Sequence, residues 1–375
     1  PLQNSYDDIL ATLQNVGYQL VELVEEGAAV VGTLVNALWD WRVPVAETDA
    51  TANGVLESAT WASISSGLDG AAATFDTSLD YLAFWIDKAL EGWFELTGSV
   101  INAVDLITHS TGGLVARSLL QSAAYADREN NPLPNVDTLI QVGVPNQGSG
   151  SVYKMLANDF SQKQATRVLQ LSLGEAYERY LDDPSSIINP DGSTFADGPA
   201  DLSQSDFIAA YVQTLGDLLA TYAFIDVSDV DSETELLDVV GMNASGISGT
   251  PSISENSLLL DLNAGNDFDQ FVGGTSATHI VYGTDVDTGD LAVAHRGLSV
   301  DAAADNLLLG LDDFVTGGLP GNDQLWFESA EADYLPPGGS TNLVGGDGTV
   351  STLSSSSGFA DPDTDIVFDA KVTLN

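Results

Sequence analysis

The sequence predicts an α/β fold, a mostly parallel sheet with flanking helices and an inserted cap, and three observations predict it. An apolar run from Val100 to Thr108 passes through a tight turn at His109-Ser110-Thr111 into a helical run from Gly112 to about Tyr125. A second apolar run, Thr138 to Val144, follows, and two strands joined through a helix form a parallel βαβ unit. The alternation then lapses between about Ser151 and Asn266, where helical pieces mix with acidic loops such as Asp226 to Asp238, and it resumes at Thr278-His-Ile-Val-Tyr-Gly283. A chain of 375 residues is long enough for one large domain with such an inserted cap or for two modest domains, and the first reading is preferred. The expected division is residues 1–150 as the first part of the core, 151–266 as the cap or lid, and 267–375 as the remainder of the core.

The elements follow in order. Tyr6 to Leu13 has helical spacing and stops near Gly17, whereas Leu20 to Trp39 is apolar and open between helix and strand. Loop chemistry runs from Arg42 to about Asn53. Leu82, Trp85, Ile86, Ala89, Leu90 and Trp93 recur at helical intervals, which predicts a core-packing helix over Leu79 to Leu96. After the elbow region, Asn130, Asn131, Pro132 and Pro134 mark a loop, and Pro145 with Gly148 closes the second strand. The last portion runs through Gln324 to Phe327 into Gly345-Gly-Asp-Gly-Thr-Val350, with serines dominating Ser351 to Ser357. The chain opens at Pro1 without an initiator Met or signal peptide and stops inside a strand-like run at Asn375, so a piece of a longer polypeptide is expected.

Charge narrows the partners. Against 10 Lys and Arg stand 55 Asp and Glu, a net charge of −45 at pH 7. Such a surface repels phosphate backbones and anionic headgroups, which excludes polybasic membrane docking and argues against nucleic acid. It suits a saline medium, where screening relieves self-repulsion, and a secreted or extracellular location is expected on that ground. No run approaches the roughly 18 apolar residues of a membrane span, so no transmembrane segment is expected. The chain has no cysteine, hence no disulfide and no Cys/His metal spacing, and it lacks a phosphate-cradling Gly-x-x-x-x-Gly-Lys. Asp285-Val-Asp-Thr-Gly-Asp290 is acidic like a calcium loop but lacks the sixth-position glycine and twelfth-position glutamate. Neither metal nor cofactor is expected.

Thr108-His-Ser-Thr-Gly-Gly113 matches a nucleophile elbow, G-x-S-x-G, with Thr108 where the first glycine usually stands. Small residues on either side of the serine let a strand turn sharply into a helix while the serine holds strained backbone angles. The geometry exposes the Ser110 hydroxyl at the carboxyl end of the sheet and aims the Thr111 amide at a developing oxyanion, helped by the helix dipole. His109 adjoins the serine, but successive side chains at a strand end point apart, and it is expected to pack. A serine nucleophile also needs an imidazole base and an acid. Asp347, in a glycine-flanked turn, is the acid candidate; spacing alone leaves it either that acid or a turn aspartate bonding its own backbone.

The elbow with its following Leu114-Val-Ala-Arg117, the run Gln141-Val-Gly-Val-Pro-Asn-Gln-Gly-Ser149, Ile280-Val-Tyr-Gly283 and Gly346-Asp-Gly-Thr-Val350 together resemble the α/β-hydrolase lipases and acyltransferases of the lecithin:cholesterol acyltransferase type. The motifs stand in family order. Leu38-Trp-Asp-Trp-Arg42 resembles that family's Tyr-Asp-Trp-Arg stretch, with Trp39 in the tyrosine place, and Gly17-Tyr18 resembles the Gly-Tyr that precedes it. The resemblance implies an α/β-hydrolase fold, Ser110 as nucleophile, Asp347 as triad acid, a lid over an acyl-chain site, and a lipid or other apolar ester as substrate. Water as acceptor makes such a protein a lipase or esterase, and an alcohol makes it an acyltransferase; hydrolysis is favoured.

Two family parts are absent. The family's catalytic histidine follows its acid, yet His279 and His295 both precede Asp347, and the His-Gly oxyanion loop that precedes the first helix has no counterpart. Loss of sequence at both ends would account for both. Recruitment of His295 from Ala294-His-Arg296 is the rival, needing an unusual chain path, while His279 opens a strand and is expected to be structural. The remaining alternative is a catalytically silent hydrolase-like module of a large acidic extracellular protein.

Overall fold

The computed structural model describes residues 4–20, 33–47, 53–64, 74–127, 132–149, 151–156, 164–198, 202–221, 225–226, 256–264, 277–281, 286–287, 291–296, 325–330 and 345–346, with the single positions 51, 129 and 275. It is a mixed α/β structure with a small parallel sheet and flanking helices. The chain divides into two compact units, residues 1–141 with 261–279, and residues 142–260 with 280–375.

The first unit begins with helix α1 (Asn4–Asn15), which Gly17 terminates at a φ of 108°. A short α2 (Trp61–Ile64) precedes the long α3 (Ser78–Thr97). Helix α3 follows from its sequence at both ends and along its face. The Asp80 carboxylate reaches back to accept from the Asp76 and Thr77 amides at 3.0 and 2.8 Å, Leu79, Ala83 and Ile86 are buried, and Gly98 closes it in the left-handed conformation with its N–H on Phe94 O. Strand β1 (Ala103–His109) then leads into α4 (Thr111–Leu120) and α5 (Ala123–Ala126) before β2 (Asn135–Val142).

The periodicity from Gly112 to Tyr125 predicts one helix, and the structure has two. The interruption has a tertiary cause: Gln121 O accepts from Leu56 N, and Ala123 N donates to Leu56 O, so a distant extended residue takes the bonds that a continuous helix would have used. Ser122 restarts the helix by accepting from Tyr125 N at 3.0 Å.

Strands β1, β2 and β4 (Ala277–Val281) form a three-stranded sheet in the order β1-β2-β4. Three bonds climb β1 and β2 together, Asn135 N to Asn102 O, Thr138 N to Asp105 Oδ1 and Thr108 Oγ1 to Ile140 O, so the pair is parallel as the βαβ reading expects. Strand β1 is an edge of this sheet among the described residues, and its exposure alternates, with Ala103, Asp105, Ile107 and His109 outward. Leu114, Leu119 and Leu120 of α4 and Val136 and Leu139 of β2 are buried.

The second unit carries α6 (Ser151–Leu156), α7 (Gln164–Asp182), single 3-10 turns at Pro184–Ser186 and Phe195–Asp197, α8 (Gln204–Tyr211) and α9 (Thr214–Asp217). They enclose a core of their own in which Tyr180, Phe195 and Phe207 pack in tilted and edge-on pairs with ring centroids 5.1 to 5.7 Å apart. Gly148, at a φ of 82°, sits where any Cβ would overlap the Leu219 carbonyl, and the flanking Gln147 and Ser149 bond Thr221 and Leu218. Helix α10 (Ser257–Leu262) follows the short β3 (Ile225–Asp226). Strand β6 (Leu291–Arg296) pairs parallel with β3 and antiparallel with β7 (Leu325–Ala330), and β5 (Val286–Asp287) pairs antiparallel with β8 (Gly345–Gly346).

Candidate functional site

Ser110 is the junction between β1 and α4, and its backbone is unlike any other side-chain-bearing residue described. Its φ is 52° and its ψ is −131°. Among the described residues it alone combines a side chain with a positive φ. A non-glycine residue in such a conformation costs about 1–3 kcal/mol and persists only where neighbours over-determine it. The turn that a serine needs to present its hydroxyl at a strand end is therefore built, at a stability cost, at this position.

The surroundings explain how the turn is held. Gly113 N donates to Ser110 O at 3.0 Å, closing the first turn of α4 on the serine itself. Among the described residues, the Thr111 and Gly112 amides have no acceptor, so two N–H groups stand free at the positive end of the α4 dipole. Thr108, the departure from glycine in the motif, turns its hydroxyl sideways to Ile140 O at 3.0 Å, which spends its side chain on β2 and keeps it from the turn. Gln141 Nε2 reaches Gly113 O at 3.4 Å from the same strand.

A second segment of the same unit packs on the elbow. A Cβ added to Gly112 would stand 3.4 Å from Cη2 of Trp39. Around Trp39 the chain is pinned: Trp85 Nε1 donates to Leu38 O at 2.7 Å, and Arg42 grips Asp40 with Nε to Oδ1 at 3.0 Å and Nη2 to Oδ2 at 2.6 Å. Burial pushes the Asp40 carboxyl up, and the hydrogen bonds and charge of Arg42 outweigh it, holding the group below its usual value. Sequence reading marks Leu38 to Arg42 as a motif; the contact between Trp39 and Gly112 joins residues 73 positions apart and carries no local signal.

Deeper in α4, Arg117 is fully buried, and burial pulls its guanidinium down to about 9. It remains a cation at neutral pH and donates to Leu262 O and Asn263 Oδ1, each at 2.9 Å.

Of the residues singled out by sequence, Ser110 and Thr111 stand together at the elbow. Asp347 lies outside the described residues, immediately after β8 in the chain. His109 ends β1 on its exposed side, His279 is half-buried in β4, and His295 lies in β6 opposite Trp326 of β7. Val286 and Asp287 of the acidic Asp285–Asp290 run form β5, and no group of three or more potential metal ligands occurs among the described residues. No helix among them is long and apolar enough to cross a membrane.

A cleft of about 470 Å³ opens elsewhere, at the starts of β1 and β2, between Leu90, Phe94, Val100, Ile101, Pro132 and Leu133. Seven residues of β1 separate it from Ser110, about 20 Å of strand, so it is not the space in front of Ser110.

No family model matches this chain, and no curated protein does. Among solved structures it is similar to a chain in the crystal structure of the Tle4–Tli4 complex, at a TM-score of 0.36 and 14% identity, covering 75% of this chain and 56% of that one. This chain therefore spans little more than half the length of that protein.

Proposed function

We propose that this chain is an α/β-hydrolase core of the lecithin:cholesterol acyltransferase type, a serine ester hydrolase that acts on lipid or other apolar esters through an acyl-enzyme on Ser110. The observation that carries the reading is the Ser110 backbone, φ 52° and ψ −131°, between a parallel strand and a helix whose first amides are free. In the proposed reaction Ser110 Oγ attacks the ester carbonyl carbon while its proton passes to an imidazole that Asp347 orients, a role assigned to none of His109, His279 and His295. The negative charge that forms on the carbonyl oxygen is met by the Thr111 amide. The tetrahedral adduct collapses as the imidazolium gives its proton to the leaving oxygen, which departs as the alcohol, and water repeats the attack to release the acid and restore the hydroxyl. An alcohol in place of that water would make the same site an acyltransferase. Secretion into a saline medium is proposed from the charge of −45.

The test is turnover of p-nitrophenyl esters at high salt by the full-length parent protein and its Ser110→Ala variant. Turnover is expected in the wild type and is expected to fall by about three orders of magnitude or more in the variant. Equal rates in both would remove Ser110 from the mechanism. Absence of turnover in both, with folded protein, would make the chain a silent hydrolase-like module.

A further inference from the structure

The ring of Trp39, like those of Trp61 and Trp93, is held in place although its own polar atom gains nothing there. Its Nε1 is buried, and among the described residues it has no hydrogen-bond partner. A buried indole N–H without an acceptor is unfavourable, so the ring position is set by something other than its own bonding. Two things set it. The chain on either side is clamped, by Trp85 Nε1 on Leu38 O and by the Arg42 fork on Asp40, and the six-membered ring edge faces Gly112, with Cη2 and Cζ3 at 3.4 and 4.0 Å from where a Cβ would be. Trp85 belongs to α3, whose aromatic face also packs Phe84 against Trp85 at 5.4 Å between centroids. A path of contacts thus runs from α3 through residues 38–42 to the first turn of α4.

From this we infer that Trp39 is a positioning residue for the nucleophile elbow: it braces the first turn of α4 at Gly112 and so holds the Ser110 turn and the free Thr111 amide in register. The inference rests on the proposed reading of Ser110. A rigid face against the turn resists relaxation of the strained Ser110 backbone, and misplacement of a reacting group by about 1 Å costs on the order of a hundredfold in rate. Glycine at 112 is the matching half of the approach, since a methyl there would fill the remaining space to ordinary contact distance from the ring.

The experiment is a double-mutant cycle on p-nitrophenyl ester turnover at high salt, with Trp39→Ala, Gly112→Ala and both together, and with Trp39→Phe as the conservative variant. Trp39→Ala is expected to lower kcat by about tenfold or more with KM within about twofold of wild type, because the brace acts on geometry in the transition state. Trp39→Phe, which keeps a ring and lacks the N–H, is expected to stay within about threefold of the wild-type kcat. Gly112→Ala is expected to lower kcat in the wild type and to cost nothing further once Trp39 is alanine. Additive losses in the cycle, a change confined to KM, or a Trp39→Phe rate as low as that of Trp39→Ala would each overturn the bracing role. If Trp39→Ala fails to fold, the Trp39→Phe rate and its pairing with Gly112→Ala decide the question. Loss of turnover in Ser110→Ala with no effect at Trp39 defeats this inference alone, whereas unchanged turnover in Ser110→Ala defeats the reading beneath it.

Discussion

Asp80 shows what burial does to a single carboxyl. It occupies the third position of α3, is almost fully buried, and is pushed up to about 6 by that burial despite accepting from the Asp76 amide, the Thr77 amide and the Thr77 hydroxyl. The folded protein then keeps this proton to about pH 6, while the unfolded chain releases it near 3.8. Between those values the folded state binds more protons, so the contribution of Asp80 to stability falls as pH rises through the window and is constant above it. Asp80→Asn imitates the protonated form. Its melting temperature is expected to gain on that of the wild type from about pH 4 to about pH 6 and to keep a constant offset beyond, as followed by circular dichroism. A difference that does not vary with pH would remove the shift. Ser110 is the opposite case at this scale: its cost lies in backbone angles, which a side-chain titration leaves untouched.

Helix α4 is positioned by its far end as well as by the elbow. Arg117 and Gln121, one turn apart and both buried, reach the same carbonyl, Leu262 O, which is the last residue of α10 and has no helical partner of its own. Gln121 also donates to Gly54 O, so a single turn of α4 satisfies two segments distant in sequence. Arg117→Met keeps the length and apolar stem of the side chain and removes its donors. A loss on the order of 2–3 kcal/mol is expected, read as a lower denaturant midpoint at unchanged slope. Arg117→Lys is expected to recover only part of it, since an ammonium cannot reproduce the planar fork. A midpoint unchanged in Arg117→Met would show that these bonds merely replace equivalent bonds to water.

For the molecule as a whole the dominant quantity is the charge of −45. With 55 acidic and 10 basic side chains, most carboxylates have no cation to pair with, and their mutual repulsion is relieved only by counterions. The screening length falls from about 10 Å at 0.1 M salt to about 3 Å at 1 M. Raising KCl from 0.1 to 2 M is therefore expected to raise the melting temperature by on the order of 4 °C, about 3 kcal/mol for a chain of this size. An uncharged osmolyte at matched osmolality is expected to give less; an equal shift would assign the effect to solute exclusion instead.

The sequence by itself determined which segments become which elements wherever local chemistry is sufficient. Helix α3 is legible because its apolar residues recur at helical spacing and Gly98 ends it; β1 and α4 are legible because a β-like run meets two glycines after a serine. Ser110 and Thr111 are readable as a candidate pair for the same reason, since the elbow is six consecutive residues. Only the tertiary structure decided that the helix after the elbow breaks at Gln121–Ser122, that the Thr108 hydroxyl donates to Ile140 O, and that Trp39 faces Gly112. Each of these depends on a partner 32 to 73 positions away, such as Ile140 for Thr108 or Leu56 for Gln121. Periodicity and turn chemistry act over a few residues, whereas these choices are made when distant segments compete for the same hydrogen bonds and the same space.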